Sequence, residues 1–84
     1  MAWRRAVAGP AADAVAELAG LAGEYAAAAQ CGDRWAAERL APVLSWIDMV
    51  RIAGGDAAIA DMFAEFARAD RAVWEGMRGG VAQA

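Results

Sequence analysis

Between residues 40 and 53 apolar side chains cover almost every side of a helical cylinder: Leu40, Val43, Leu44, Trp46, Ile47, Met49, Val50 and Ile52 leave only Ser45, Asp48 and Arg51 as a narrow polar seam. A helix that is apolar nearly all round must be buried. The pattern therefore predicts a middle helix, near residues 34–53, that the rest of the chain covers. Pro42 interrupts it, because proline removes a backbone donor and biases Ala41 away from helical geometry. The expectation is one helix kinked at Pro42, with a break into two pieces as the alternative.

Before this stretch, Val15, Leu18, Ala22, Tyr25 and Ala29 recur at spacings of three and four, with Leu21 beside them, which predicts an amphipathic helix near 11–30. Pro10 suits its first turn. A second stripe, Ala12, Ala16, Ala19, Gly23 and Ala26, is built from small residues alone. Either it admits another helix backbone at close range, with Gly20 and Gly23 tolerated for that reason, or it reflects only how common Ala is. After the middle helix, Ile59, Met62, Phe66, Ala69 and Val73 form the strongest periodic face in the chain, widened by Phe63, Trp74 and Met77, and predict a last helix near 56–78. Asp61, Glu65, Arg68, Arg71 and Glu75 fall mostly on its other side, with Glu65/Arg68 and Arg71/Glu75 at helical contact spacing.

The boundaries carry their own chemistry. Cys31-Gly32-Asp33 and Gly54-Gly55-Asp56 each place a glycine able to end one helix before an aspartate able to cap the next. Residues 1–10 then form an N-terminal segment, 11–78 a single helical domain, and 79–84 a disordered tail. The predicted fold is all-α, a small three-helix bundle arranged around its middle helix. Two neighbours cannot enclose a helix that is apolar all round, so self-association, most simply as a dimer, is expected to complete the core.

Composition strengthens the helical reading. Of the 84 residues 26 are Ala, the best helix former, and there is no Thr, so β-branched residues are Val and Ile alone. With so many small side chains the core must be thin. The lone Cys31 excludes an internal disulfide. The net charge of −3 does not favour nucleic-acid backbones. The would-be recognition helix of a helix-turn-helix would open Ala57-Ala58-Ile59-Ala60-Asp61, with an acid and no base-reading side chain where base edges are met. Direct nucleic-acid binding is therefore disfavoured. Asp48 and Arg51 interrupt the best candidate for a membrane span, and Asp13 and Glu17 fall where an export signal needs an apolar run. The expected location is the cytoplasm, with no membrane contact.

Candidate chemistry is sparse. The absence of His removes the commonest general base and the commonest transition-metal ligand. Cys31 sits in a turn beside Gly32 and Asp33 and is read as a structural or incidental cysteine. No spacing of the 11 carboxylates resembles a calcium loop. The expectation is a protein that is not an enzyme and uses no cofactor or metal. Trp74-Glu75-Gly76 has the form of the Trp-x-Gly motif of the small helical-hairpin proteins of type VII secretion. That family sets the motif in the turn between two helices, whereas here it lies inside the last helix, and nothing is carried over.

What remains is contact surface. Aromatic residues and Arg most often carry interface energy, and Trp3, Trp35, Trp74 and Met77 are the candidate partner-binding residues, with Trp46 and Phe66 assigned to the core. The function expected is that of a protein–protein interaction module, a homo-oligomeric assembly subunit or adaptor whose partner is itself or another protein. Two alternatives stand beside it. One is a small acidic inhibitor of the phage-encoded, anti-CRISPR kind directed at a nucleic-acid-binding host complex, which a cluster of Asp13, Glu17, Glu24, Asp61 and Glu65 on one exposed face would favour. The other is a ring-forming helical subunit of viral DNA packaging.

Overall fold

The computed structural model describes the backbone of residues 2–83 and the side chains of residues 9–78. Three helices follow one another: α1 (Ala2–Gln30), α2 (Arg34–Ile52) and α3 (Ala57–Gln83). The protein is an all-α three-helix bundle.

The inner helix ends are where the local chemistry put them, whereas α1, expected from near residue 11, already starts at Ala2. Gly9 breaks α1 with φ 51 and ψ −176, a backbone conformation that only glycine adopts at little cost, and the helix restarts at Pro10. At the other end Gly32, at φ 95, closes α1. The Asp33 N–H donates to the Ala28 carbonyl and the Gly32 N–H to that of Ala29, both at 3.0 Å, the paired bonds that satisfy the last carbonyls of a helix. Asp33 then turns from closing one helix to opening the next, its carboxylate accepting from the Ala36 N–H at 3.0 Å. Asp56 does the same for α3 through the Ile59 N–H at 3.1 Å. Of the two expectations for Pro42, the structure has the single helix: α2 runs unbroken through it from Arg34 to Ile52. α3 runs on to Gln83, past the stop expected at Arg78, and Trp74-Glu75-Gly76 lies within it.

The packing order differs from the expectation. α1, not the middle helix, is the element against which both others lie most closely, while α2 and α3 run farther apart and meet through large side chains. The core is made of Ala14, Leu18, Leu21, Ala22 and Tyr25 from α1, Ala36, Val43, Ile47 and Val50 from α2, and Ala60, Phe63, Ala67 and Trp74 from α3. On α1 this inner face is the one its periodicity predicts, and it alternates small and large side chains so that two helices can share it. On α2 only one side is buried. Leu44 and Met49 stand half in solvent and Ile52 is 85% exposed, so its nearly continuous apolar surface did not make it central.

Two further corrections concern close packing and register. The stripe of small residues on α1 meets no neighbour: Ala12, Ala16, Ala19 and Gly23 are exposed, Ala26 is half-buried, and nothing lies within 4 Å of where a Cβ on Gly23 would stand. Gly20 has only the tip of Arg71 at 4.0 Å. On α3 the buried row is Ala60, Phe63, Ala67 and Trp74, with the half-buried Asp70 in line. The row expected inside, Met62, Phe66, Ala69 and Val73, is turned outward, with only Ile59 of that series half-buried. Phe66, assigned to the core from its spacing, is thus exposed, and Trp46 is half-buried.

Candidate functional site

Two aromatic groups hold the helices at different levels. At the end where α1 stops and α2 starts, Tyr25 meets Trp35 and Trp74 edge to face, with ring centroids 5.4 and 5.2 Å away. Trp35 and Trp74 stack on each other at 5.8 Å and 5°. Such pairs add about 0.5–1.5 kcal/mol each beyond the area they bury. Lower down, Trp46 of α2 lies against Phe63 and Phe66 of α3, at 6.5 and 5.4 Å.

Between the two groups sits a polar knot that the hydrophobic pattern did not announce. The Arg39 guanidinium lies 5.9 Å from the Trp35 ring and 5.6 Å from that of Trp46. It donates to Asp70, from Nη2 to Oδ1 at 2.5 Å and from Nε to Oδ2 at 3.4 Å. Asp70 Oδ2 also accepts from the Tyr25 hydroxyl at 2.6 Å. One carboxylate on α3 thereby ties α1 and α2 together. The signal available in the sequence was Asp70 itself, which keeps helical step with Phe63, Ala67 and Trp74.

A second polar seam joins α1 to α3. Arg71 donates to Glu24 at 2.8 Å, the Trp74 indole N–H donates to the same carboxylate at 3.3 Å, and Arg78 approaches it at 3.7 Å. Arg68 pairs with Glu65 and lies 3.8 Å from Glu17, while Glu75 lies 3.7 Å from Arg71. Glu17, Glu24 and Glu65 are thus interleaved with three arginines. Among the described residues every buried side-chain N or O has a hydrogen-bond partner, and no three Cys, Asp or Glu side chains gather as metal ligands.

These contacts set a pH window. The hydrogen bond from Arg71 holds the Glu24 carboxyl below its ordinary value of 4.5, helped by Trp74 and by the charges of Arg71 and Arg78 and opposed by burial. Burial first, and then the hydrogen bond to Asp70, hold the Tyr25 phenol above its ordinary value of 10. The unfolded chain takes up a proton at Glu24 more readily than the folded one, so stability from this pair is full above pH 4.5 and is lost as pH falls through the lower folded value. Tyr25 acts in the opposite sense: its contribution is full below pH 10 and is lost as pH climbs beyond it. Urea unfolding midpoints measured across pH are expected to fall off on both sides, and Glu24→Gln is expected to flatten the acid limb. An acid limb unchanged by that substitution would rule out Glu24 as its cause.

Of the predicted partner-contact residues, the fold brings Trp35 and Trp74 together in one stack and sets Met77 beside Trp74 at one groove. Trp74 is 3% exposed and belongs to the core, where its bulk and its N–H are both used. Trp35 is half-buried in the same aromatic group. Trp3 lies outside the described side chains. Met77 alone is open: it ends the outward row on α3 and also lines, with Glu24, Ala28, Cys31 and Trp74, an open groove of about 790 Å³ between the ends of α1 and α3. Exposed apolar surface sits instead on residues expected inside, on Leu44, Met49 and Ile52 of α2 and along a row of α3. Met62, Phe66, Val73 and Met77, each more than a third exposed, follow one side of α3 with Ala69 among them, and Trp46 of α2 adjoins Phe66. No charged residue falls within this stripe. None of the described helices is long and apolar enough to cross a membrane. No family model, curated protein or solved structure matches the chain.

Proposed function

We propose that the protein is a non-enzymatic helical interaction module that works by self-association, as an assembly subunit or adaptor. The observation that carries this reading is the uncharged apolar stripe on the outer side of α3, left exposed beside Trp46. Large contiguous apolar patches are uncommon on the surface of monomers, and contact between proteins is an ordinary use of one. Arg39, Asp70, Arg71 and Glu24 are engaged with one another in holding the bundle.

The test is the absolute mass in solution, by light scattering on a size-exclusion column across a dilution series. The expected result is twice the chain mass of 8.7 kDa at high concentration, falling towards the single value on dilution. Added salt is expected to leave the association intact or strengthen it, since the stripe carries no charge. A monomer at every concentration would refute self-association and would leave the stripe to a different protein.

A further inference from the structure

We infer that the second copy docks antiparallel along α3, with a two-fold axis passing between Ala69 and Asp70. This inference rests on the self-association reading above and adds the surface, the direction and the register. It comes from a symmetry in the stripe. Met62, Phe66, Ala69, Val73 and Met77 read nearly the same from either end about that midpoint. In an antiparallel pair Met62 meets Met77 of the second copy, Phe66 meets its Val73, and Ala69 lies beside its own counterpart. The smallest residue stands at the centre, which lets two helix axes approach to about 8 Å. A surface that matches itself under a two-fold rotation is what an isologous dimer requires.

Charge fits the same arrangement. An antiparallel two-fold pairs each edge of the stripe with the same edge of the other copy. On the edge that carries Glu65, the rise of about 1.5 Å per residue brings Glu65 level with the interval between Ala72 and Gly76 of the second copy. The two Glu65 side chains are then about 13 Å apart along the axis, beyond the screening length of about 8 Å at physiological salt. On the other edge Asp70 is already neutralised by Arg39 at 2.5 Å. A parallel pair would instead set each edge against the opposite edge of the other copy, with the Glu65 carboxylate facing the edge that carries Asp70. The fit also extends the bundle, because the added helix lies along the exposed side of α3, where Phe66 stays 41% exposed although Trp46 of α2 packs against it.

Cysteine cross-linking reads the register directly, in a Cys31→Ser background that removes the exposed native thiol. A disulfide needs Cα atoms within about 7 Å. Ala69→Cys is expected to cross-link to itself under mild oxidation. Met62→Cys and Met77→Cys, each about 22 Å from its own counterpart, are expected to remain uncross-linked singly, while the double variant gives roughly tenfold more covalent dimer than either. All three positions are exposed, so the fold is expected to tolerate the changes, with circular dichroism as the check. Val73→Glu, at a side chain 52% exposed, is expected to keep its helicity and to raise the dimer dissociation constant about 100-fold. Self-cross-linking of Met62→Cys alone would overturn the antiparallel direction. A dimer by mass in which no α3 position cross-links would overturn this surface and leave self-association standing. A monomer by mass throughout would overturn both.

Discussion

Tyr25→Ala is expected to lower stability by about 4 kcal/mol, in the range seen when a large buried aromatic is cut to alanine. Tyr25 is 0% exposed and touches both tryptophans of the upper aromatic group, so its removal opens a cavity that neither Trp35 nor Trp74 can fill without unstacking from the other. A domain of this size has on the order of 4–13 kcal/mol in total, so the variant should sit close to unfolding at ambient temperature. Tyr25→Phe keeps the ring and loses the hydroxyl bond to Asp70 at 2.6 Å, with an expected loss of about 1–1.5 kcal/mol. Urea titrations followed by circular dichroism separate the two terms. A loss below about 1.5 kcal/mol for Tyr25→Ala would mean that the aromatic group is not the keystone of the bundle.

Asp70→Ala is expected to cost about 3 kcal/mol, although the side chain it removes is small. The loss comes from what is left behind. The Tyr25 hydroxyl no longer has its acceptor, and the Arg39 guanidinium, 31% exposed and held between two tryptophan rings, no longer has its counter-ion. Asp70→Asn keeps an acceptor for the hydroxyl and removes the charge, and should cost roughly half as much. If the loss arises from an unpaired partner, then Arg39→Met in the Asp70→Leu background should restore part of it, because an apolar pair of similar volume has no charge to desolvate. The double-mutant cycle is the measurement: a coupling of about 2 kcal/mol supports the account, and single and double losses that simply add would exclude it.

These two expectations concern residues of very different legibility. Tyr25 was visible as an inner residue because it keeps step with Leu18 and Ala22, and the helix ends were visible because Gly32, Asp33 and Asp56 do their work within a few residues of themselves. Arg39 and Asp70 were not visible as a pair, since 31 residues separate them and nothing in either helix marks the other as its partner. On α3 spacing alone points to the row of Ile59, Met62, Phe66 and Val73 as the inner one. The structure buries Ala60 and Ala67 there instead, small enough to keep the helices near one another, and it admits Asp70 beside them because Arg39 and Tyr25 satisfy it. The apolar row that remained became the candidate contact surface, and Trp74, expected on that surface, went into the core.

What the sequence determined by itself was therefore the local part: three helices, their caps and turns, the inner face of α1, and a composition too rich in alanine for strands. Those features depend on backbone preference and on contacts within one or two helical turns. The tertiary structure alone decided which helix is central, which side of α3 faces inward, and which acids and bases meet. Each of these depends on matching side-chain volume and charge between helices, and periodicity within one helix cannot tell a face that is buried by its own chain from one left open for another.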